Sequence, residues 1–533
     1  MSGADGSRFK EAQHSVLRAA QAQAVLHQVV RFESAEGGRK FIEGVMKYLP
    51  PCFGIDRPKK AAGPQVSLGL TFSGLEALNV PDGYLHVFRR LSPPFAQGAP
   101  VRAARHLGDV GPSAPGFWDS AFKLEDAQAV VTVHGTEQQC EAAMAALIQL
   151  MRPEAANEAT EDAPYARPVG RPMQGKHLDP PPGRKAIGET QWVHFGYRDG
   201  LTNPVVAGAG HPEGKPDVHE PGELLLGEVR DTGDNPWRLA RLPEEVRTFF
   251  RHGSFGVLRR IEQDEAAFRK EVKRWANAVA DDRGYRLEDG RNGASTSGDA
   301  KVQMRAVAES NAVWPRNAVE EFVRAKLCGR WPDGQVVQPG DEPLTPSDQR
   351  PESDFDFAGD PHGAGCPFGA HIRRMNSRSS IGDGDDRVAH VRPRPLFRRG
   401  MPYGPWFDEK TKDEERGLLG LFFCADLADQ FEHLLGEWAD RLPLGFPGDR
   451  HGKDPLIGAH EHPHASFLVP RRMPVNQDTG QERSDPSPLA LYGFRPFVRT
   501  RGTLYAFYPP REALKRLAKA QPDWTAEEDP WLV

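Results

Sequence analysis

Apolar and polar residues alternate in short runs along this chain, and each run leads into a stretch whose apolar positions recur every three or four residues. VLHQVVRF from Val25 reads as a strand, and AEGGRKFIEGVMKYL after it puts Phe41, Ile42, Val45 and Met46 on one helical face. The order returns at VSLGLTF from Val66, leading into SGLEAL, where Ser73 is placed to cap a short helix with Glu76 at the capping-box position. It returns again at AQAVVTVHG with TEQQCEAAMAALIQLM, and at GSFGVLRRIEQDEAAFRKEVKRWA from Gly253. In GLLGLFFCADLADQFEHLLGEWADRL the residues Leu427, Phe431, Leu434, Leu435 and Trp438 share a helical face. FVRTRGTLYAFYPP closes the series and reads as a pair of strands with Gly502 near the turn. Strands and helices alternating with polar caps predict an α+β protein, its helices lying against one sheet face.

The periodicity lapses between Arg152 and Thr190, where Pro, Gly and charge take over in segments such as HLDPPPGRKA, and a linker is expected there. A second lapse starts at PDGQVVQPGDEPLTPSDQRPESD. The chain therefore divides into an N-terminal extension (1–23), an N-terminal domain with its Pro-rich linker (24–190) and a C-terminal domain (191–533). The two domains are similar α+β halves rather than a short-period solenoid.

Composition narrows the function. With 533 residues and 38% hydrophobic content the chain has material for two or more cores. A net charge of -6 leaves no basic excess for nucleic acid or an acidic membrane, so neither is expected as a partner. No long apolar run occurs, and MSGADGSRFKEAQHSVLRAAQAQ has no apolar h-region, so we expect a cytoplasmic protein; the oligomeric state is left open. Cys52, Cys140, Cys328, Cys366 and Cys424 are odd in number and widely spaced, which argues against a disulfide framework or a cysteine zinc site. GxSxG and GxxxxGK[ST] are missing from the sequence.

Chemistry concentrates in a few places. In CPFGAHIRRMNSR, His371 is followed by Arg373, Arg374 and Arg378, an arrangement suited to a histidine ligand whose cofactor carries negative groups, as haem does with its propionates. A surface turn entering a basic strand accounts for the same stretch taken alone. Asp199 in GYRDG reads either as an acidic turn residue or as a proton-transfer group, with glycines permitting close backbone approach. Arg398 and Arg399 in LFRRGMPYG stand at a strand end, and a solvated basic patch would explain them equally well. His460, His462 and His464 in HEHPH could converge on zinc or copper, although Pro463 interrupts the strand and a histidine-rich loop fits as well. No CxxCH occurs, so any haem would be held without thioether links.

Taken together these pieces resemble the dye-decolourising peroxidases. FGYRDGLTNP (Phe195 to Pro204) looks like the GxxDG signature of that family, DFDFAGDPHGAGCPFGAHIRRMNSR like its proximal-histidine segment, and FRRGMPYG like its distal-arginine turn. GSFGVLRRIEQD, RGLLGLFFCADLADQFEHLLGEW and FVRTRGTLYAFYPP carry the resemblance from about Val66 to the last strand. Ser377 stands where proline is usual and Asn203 where glutamine is common. The resemblance implies two ferredoxin-like domains of the dimeric α+β barrel type, with antiparallel sheets, peripheral helices and haem in the C-terminal domain. It implies non-covalent haem b with His371 as the proximal iron ligand, Asp199 as the distal acid/base and Arg398 as the distal arginine. Arg398 is preferred to Arg399 because it lies two residues before Gly400. Arg378 is implied as a propionate contact, and Asp454 in GKDPLIG as the hydrogen-bond partner of the proximal histidine. The implied partners are hydrogen peroxide and a dye-like or phenolic electron donor, with an acidic optimum expected because an unperturbed aspartate stays ionised down to about pH 4. The alternatives are a haem-binding or haem-trafficking protein on the same fold and a non-haem metalloprotein built on HEHPH.

Overall fold

In the computed structural model, residues 8–19, 22–50, 63–153, 164–182, 184, 191–209, 218–282, 316–337, 357, 360, 363–376, 394–441, 452–460, 465–469 and 488–519 are described. The N-terminal half runs β1 (Ala24–Phe32), α1 (Ala35–Met46), β2 (Gln65–Leu70), β3 (Ala129–Gly135), α2 (Glu137–Gln149) and β4 (Ala166–Lys176). Its strands pair antiparallel in the order β4-β1-β3-β2. The C-terminal half repeats the plan with β5 (Ser254–Gln263), α3 (Glu265–Asp281), the short β6 (Phe397–Arg398) and β7 (Met401–Tyr403), β8 (Gly417–Cys424) and β9 (Val498–Tyr508). There the order is β9-β5-β8, with β6 and β7 both on the far edge of β8. Both halves thus have the ferredoxin-like arrangement, the last strand beside the first and the first beside the third. Phe507 of β9 pairs with Leu70 of β2, joining them into one nine-stranded sheet. The sheet's two ends also approach: a Cβ on Gly175 of β4 would lie 3.1 Å from both Met401 Cβ and Pro402 O of β7.

Local chemistry sets the element ends. Ser34 caps α1 by accepting from the Gly37 N–H, Thr136 and Gln139 form a capping box on α2, and Asp264 accepts from the Ala267 N–H at α3. The expected Ser73 cap is corrected. The helix begins at Phe72, so Thr71 takes the extended N-cap backbone and accepts from Gly74, while the Ser73 hydroxyl donates to Leu124 O at 3.1 Å.

Two further expectations are overturned. The stretch from Arg152 to Thr190 is not linker throughout, because it contains β4, whose Pro168 and Pro172 sit on an edge strand where missing N–H donors cost no ladder bonds. FVRTRGTLYAFYPP is one strand, not two. Gly502 marks a register shift against β5, and a Cβ there would fall 2.1 Å from the Phe122 ring.

The described part of the N-terminal extension is built into the sheet seam. Gln13 Nε2 donates to Leu68 O at 2.8 Å and to Pro509 O at 3.1 Å, while the Leu68 N–H donates to Gln13 Oε1 at 2.9 Å. One side chain thus bridges the halves where backbone pairing is shortest. Aromatic packing does the rest, with Phe88 touching Phe95, Phe250 and Phe507 at centroid distances of 4.8, 4.9 and 5.0 Å. A second core, around Phe268, Trp275, Phe494 and Phe497, packs α3 and the helix Arg316–Cys328 beneath the C-terminal sheet. Among the described residues no helix is long and apolar enough to cross a membrane.

Candidate active site

A cavity of about 780 Å³ lies mainly in the C-terminal half, its walls drawn from β5, β8 and the π-helical turns Leu427–Glu432 and Leu434–Ala439, with residues 107–113 of the N-terminal half along one side. Its volume is that of a cofactor or small-molecule site. Ile261, Leu418, Phe422, Phe431 and Leu434 supply apolar surface, and Asp199, Arg398 and His371 all line it.

Asp199 ends the short strand Tyr197–Asp199, which pairs with Gln191–Val193 and is followed by Gly200 at φ 80°, a left-handed position suited to glycine. Arg398 ends β6, and its Nη1 donates to Asp199 Oδ1 at 2.9 Å while Nη2 donates to Thr202 O at 3.1 Å. Burial would raise the Asp199 carboxyl, but the Arg398 charge, the Gly200 N–H, and hydrogen bonds from Arg398 and Gln191 outweigh it and hold Asp199 below the usual carboxylate range. The result is an ionised carboxylate and a fixed guanidinium on one wall.

His371 begins the short helix His371–Met375. Its Nδ1 lies 2.8 Å from Asp454 Oδ2, and Asp454 is fully buried while His371 is 27% exposed. The other carboxylate oxygen of Asp454 accepts from the Leu456 and Ile457 N–H groups at 2.9 and 3.0 Å. Burial pushes Asp454 up, yet the charge and hydrogen bond of His371, the Arg374 charge and the Leu456 N–H bring it below the ordinary value. An ionised Asp454 accepts from Nδ1–H, so in the neutral form of the ring Nε2 is the lone-pair nitrogen.

The arginines after His371 do different work from that expected. Arg373 is buried between the Phe357 and Phe368 rings, donating to Asp360 Oδ2 at 3.0 Å and Cys366 O at 2.7 Å. Arg374 is also buried and gathers the carbonyls of Gly369, Trp438 and Gly452 at 3.1, 2.9 and 2.6 Å. Both hold the histidine's loop in place rather than facing a ligand. Arg378 lies outside the described residues.

Arg399, just past the end of β6, is buried against backbone carbonyls and does not line the cavity. The HEHPH cluster is only partly described. His460 is buried with its Nε2 2.8 Å from Asp454 O, so that nitrogen is spent on the backbone; His462 and His464 lie outside the described residues. No set of three or more His, Cys, Asp or Glu suited to a metal occurs among the described residues. Cys140, Cys328, Cys366 and Cys424 are buried unpaired thiols, and burial pushes Cys328 and Cys366 up to about 12.

Two parts of the site went unnoticed in the sequence. Gln191 stands directly across the ladder from Asp199 and hydrogen-bonds its carboxylate, and the Thr202 carbonyl holds Arg398. The hairpin pattern of QWVHFGYRD could have revealed Gln191, whereas a backbone carbonyl leaves no mark in a sequence.

No family model matches the chain. It is 26% identical over 340 residues to the dye-decolorizing peroxidase msp1 of Mycetinis scorodonius, covering 60% of this chain and 56% of that protein. It is 28% identical over 352 residues to the multifunctional dye peroxidase DyP2 of Amycolatopsis, covering 61% and 60%. The matched sequence therefore spans little more than half the length of these relatives. In three dimensions the likeness is nearly complete. An ancestral D-type dye-decolorizing peroxidase superposes with a TM-score of 0.69 at 22% identity, covering 95% of this chain and 98% of that one. A DyP-type peroxidase of Anabaena gives 0.67 at 19% identity, with 96% and 94% covered. The fold is that of the dye-decolourising peroxidases, as the sequence resemblance implies.

Proposed function

We propose that this chain, with the fold of the dye-decolourising peroxidases and relatives of that name, is a haem b peroxidase that uses hydrogen peroxide to oxidise phenolic or dye-like donors. The observation that carries this reading is a cavity lined by Asp199, Arg398 and His371, in which Arg398 is paired with Asp199 and His371 is backed by the buried Asp454. The donor set fits haem. His371 offers Nε2 to iron while the carboxylate behind Nδ1 makes the ring a stronger donor, and the apolar walls suit a flat macrocycle. Haem, when bound, supplies the redox chemistry; the steps assigned below belong to the protein.

Asp199, ionised, takes the proton from the inner peroxide oxygen and returns it to the outer one as the O–O bond breaks. Arg398 stabilises negative charge developing on the departing oxygen, and its hydrogen bond to Asp199 keeps both groups aimed at one place. The peroxide leaves as two waters once two donor molecules have each given an electron and a proton. A relative of known structure, at TM-score 0.65 and 20% identity, was solved with 2,6-dimethoxyphenol, which supports a phenolic donor.

The test is an absorption spectrum of protein expressed with a haem supply, repeated after one equivalent of peroxide. The wild type should react and return when a phenolic donor is added. Asp199→Ala and Arg398→Ala should keep haem and lose peroxide reactivity by about 10²–10⁴-fold, and His371→Ala should lose haem. Full haem occupancy without a peroxide reaction would favour haem binding or trafficking instead.

A further inference from the structure

Arg398 ends β6 and Arg399 follows it, and their side chains reach different surroundings. Arg398 faces the cavity. Arg399 is 7% exposed, and no carboxylate among the described residues offsets its charge; burial alone pulls it down to about 9. A guanidinium taken out of water without a counter-ion is costly, so the contacts it makes there need explaining. Its Nε donates to Ser15 O at 2.8 Å and its Nη2 to Val16 O at 2.9 Å, both carbonyls belonging to the short helix His14–Leu17. Its Nη1 donates to the carbonyl of Arg398 at 2.9 Å. The Phe423 ring lies 5.9 Å from the guanidinium carbon, and the Arg399 N–H is bonded to Leu421 O at 2.7 Å. One planar fork therefore joins the N-terminal segment to the peptide bond that orients Arg398.

We propose that Arg399 is a positioning residue. It couples docking of the N-terminal segment to the aim of the Arg398 guanidinium at Asp199. The proposal rests on the reading of Arg398 as the residue that activates peroxide. The N-terminal segment also zips the two half-sheets through Gln13, so the integrity of that seam and the geometry of the distal wall share one element. Lysine cannot replace the fork, since a single ammonium on a flexible stem does not span three carbonyls in fixed geometry.

The experiment has two arms, both on the full chain. In the first, Arg399→Met and Arg399→Lys are loaded with haem and their rate with hydrogen peroxide is followed against pH. A drop of about tenfold or more is expected, because small misplacements of a reacting group carry penalties of that order. The acid limb should also move up in pH as Asp199 loses its well-aimed partner, a shift that general destabilisation does not produce. In the second arm, native-state hydrogen exchange of unaltered protein, without haem and in rising denaturant, follows residues 13–18 and 396–403. These should open together as one unit. Variants with wild-type rate and pH profile, or two segments that open at different denaturant concentrations, would overturn the proposal. If Arg398→Ala itself keeps the wild-type peroxide rate, the reading of the site fails, and the exchange arm still decides whether the segments are coupled.

Discussion

Asp454 carries no chemistry of its own, yet it sets what His371 can do. Its carboxylate is fully buried, bonded to two backbone N–H groups and to the imidazole Nδ1, so the ring's tautomer and direction are both fixed from behind. Asp454→Asn keeps the size and removes the charge. Haem affinity should fall by about 10–100-fold, the usual cost of removing such a supporting partner, as read from absorbance titrations of haem into the purified variant; unchanged affinity would mean the ring is held by its helix alone. For Asp199 the prediction concerns pH. A base held below the usual carboxylate range stays ionised through mildly acidic solution, so the rate with peroxide should remain level down to about pH 4 and fall only below it. A limb centred near pH 6 would show that Arg398 does not pair with Asp199 in the working enzyme. At this scale His371, Asp199 and Arg398 could be picked out in the sequence because each stands in a fixed motif, and the structure brings all three to one cavity. The sequence misled at Arg373 and Arg374, because charge in a sequence reads as facing solvent or ligand, and the carbonyls that accept a buried guanidinium are invisible until the chain is folded.

Elements show the same division. The apolar strands were read in place because their apolar runs are bounded by polar caps, and β1, β2 and β3 are buried on both faces. β4 was missed since its prolines and Gly170 mark an edge, where the partner strand β1 supplies all the order and composition looks like linker. Gly502 was placed near a turn for a related reason. Glycine in a strand signals either a reversal or a close approach, and here the Phe122 ring occupies the space a side chain would need. Gly502→Ala should therefore cost about 1–3 kcal/mol through overpacking, seen as a lower urea midpoint with an unchanged slope. If the midpoint is unaltered, the Phe122 ring moves aside freely and the bulge has another cause.

At the scale of the whole molecule, the fold tolerates acid less well than the proposed chemistry does. His27 is fully buried with Nδ1 2.8 Å from Thr132 Oγ1, and burial, helped by nearby His134, lowers it to about 3. Burial likewise lowers His134 and His460 to about 4. All three are neutral in the folded protein, whereas an unfolded histidine titrates near 6.5. Their folded values are depressed, so the stability they contribute is complete above about pH 6.5 and is lost as pH falls toward 4 and below. Each group removes up to about 1.4 kcal/mol per pH unit within that window. Urea midpoints should thus be flat above pH 7 and decline between pH 6 and 4.5, and His27→Gln should make that decline shallower by one proton's worth of slope. Midpoints that hold constant from pH 7 to 5 would show that water or rearrangement accommodates the charged rings. Asp199, held below the usual carboxylate range, remains a competent base down to about pH 4. The buried histidines weaken the fold before that point. Activity measured over short times should then stay level to a lower pH than activity remaining after long incubation, with the gap between the two set by buried histidines outside the Asp199–Arg398 pair.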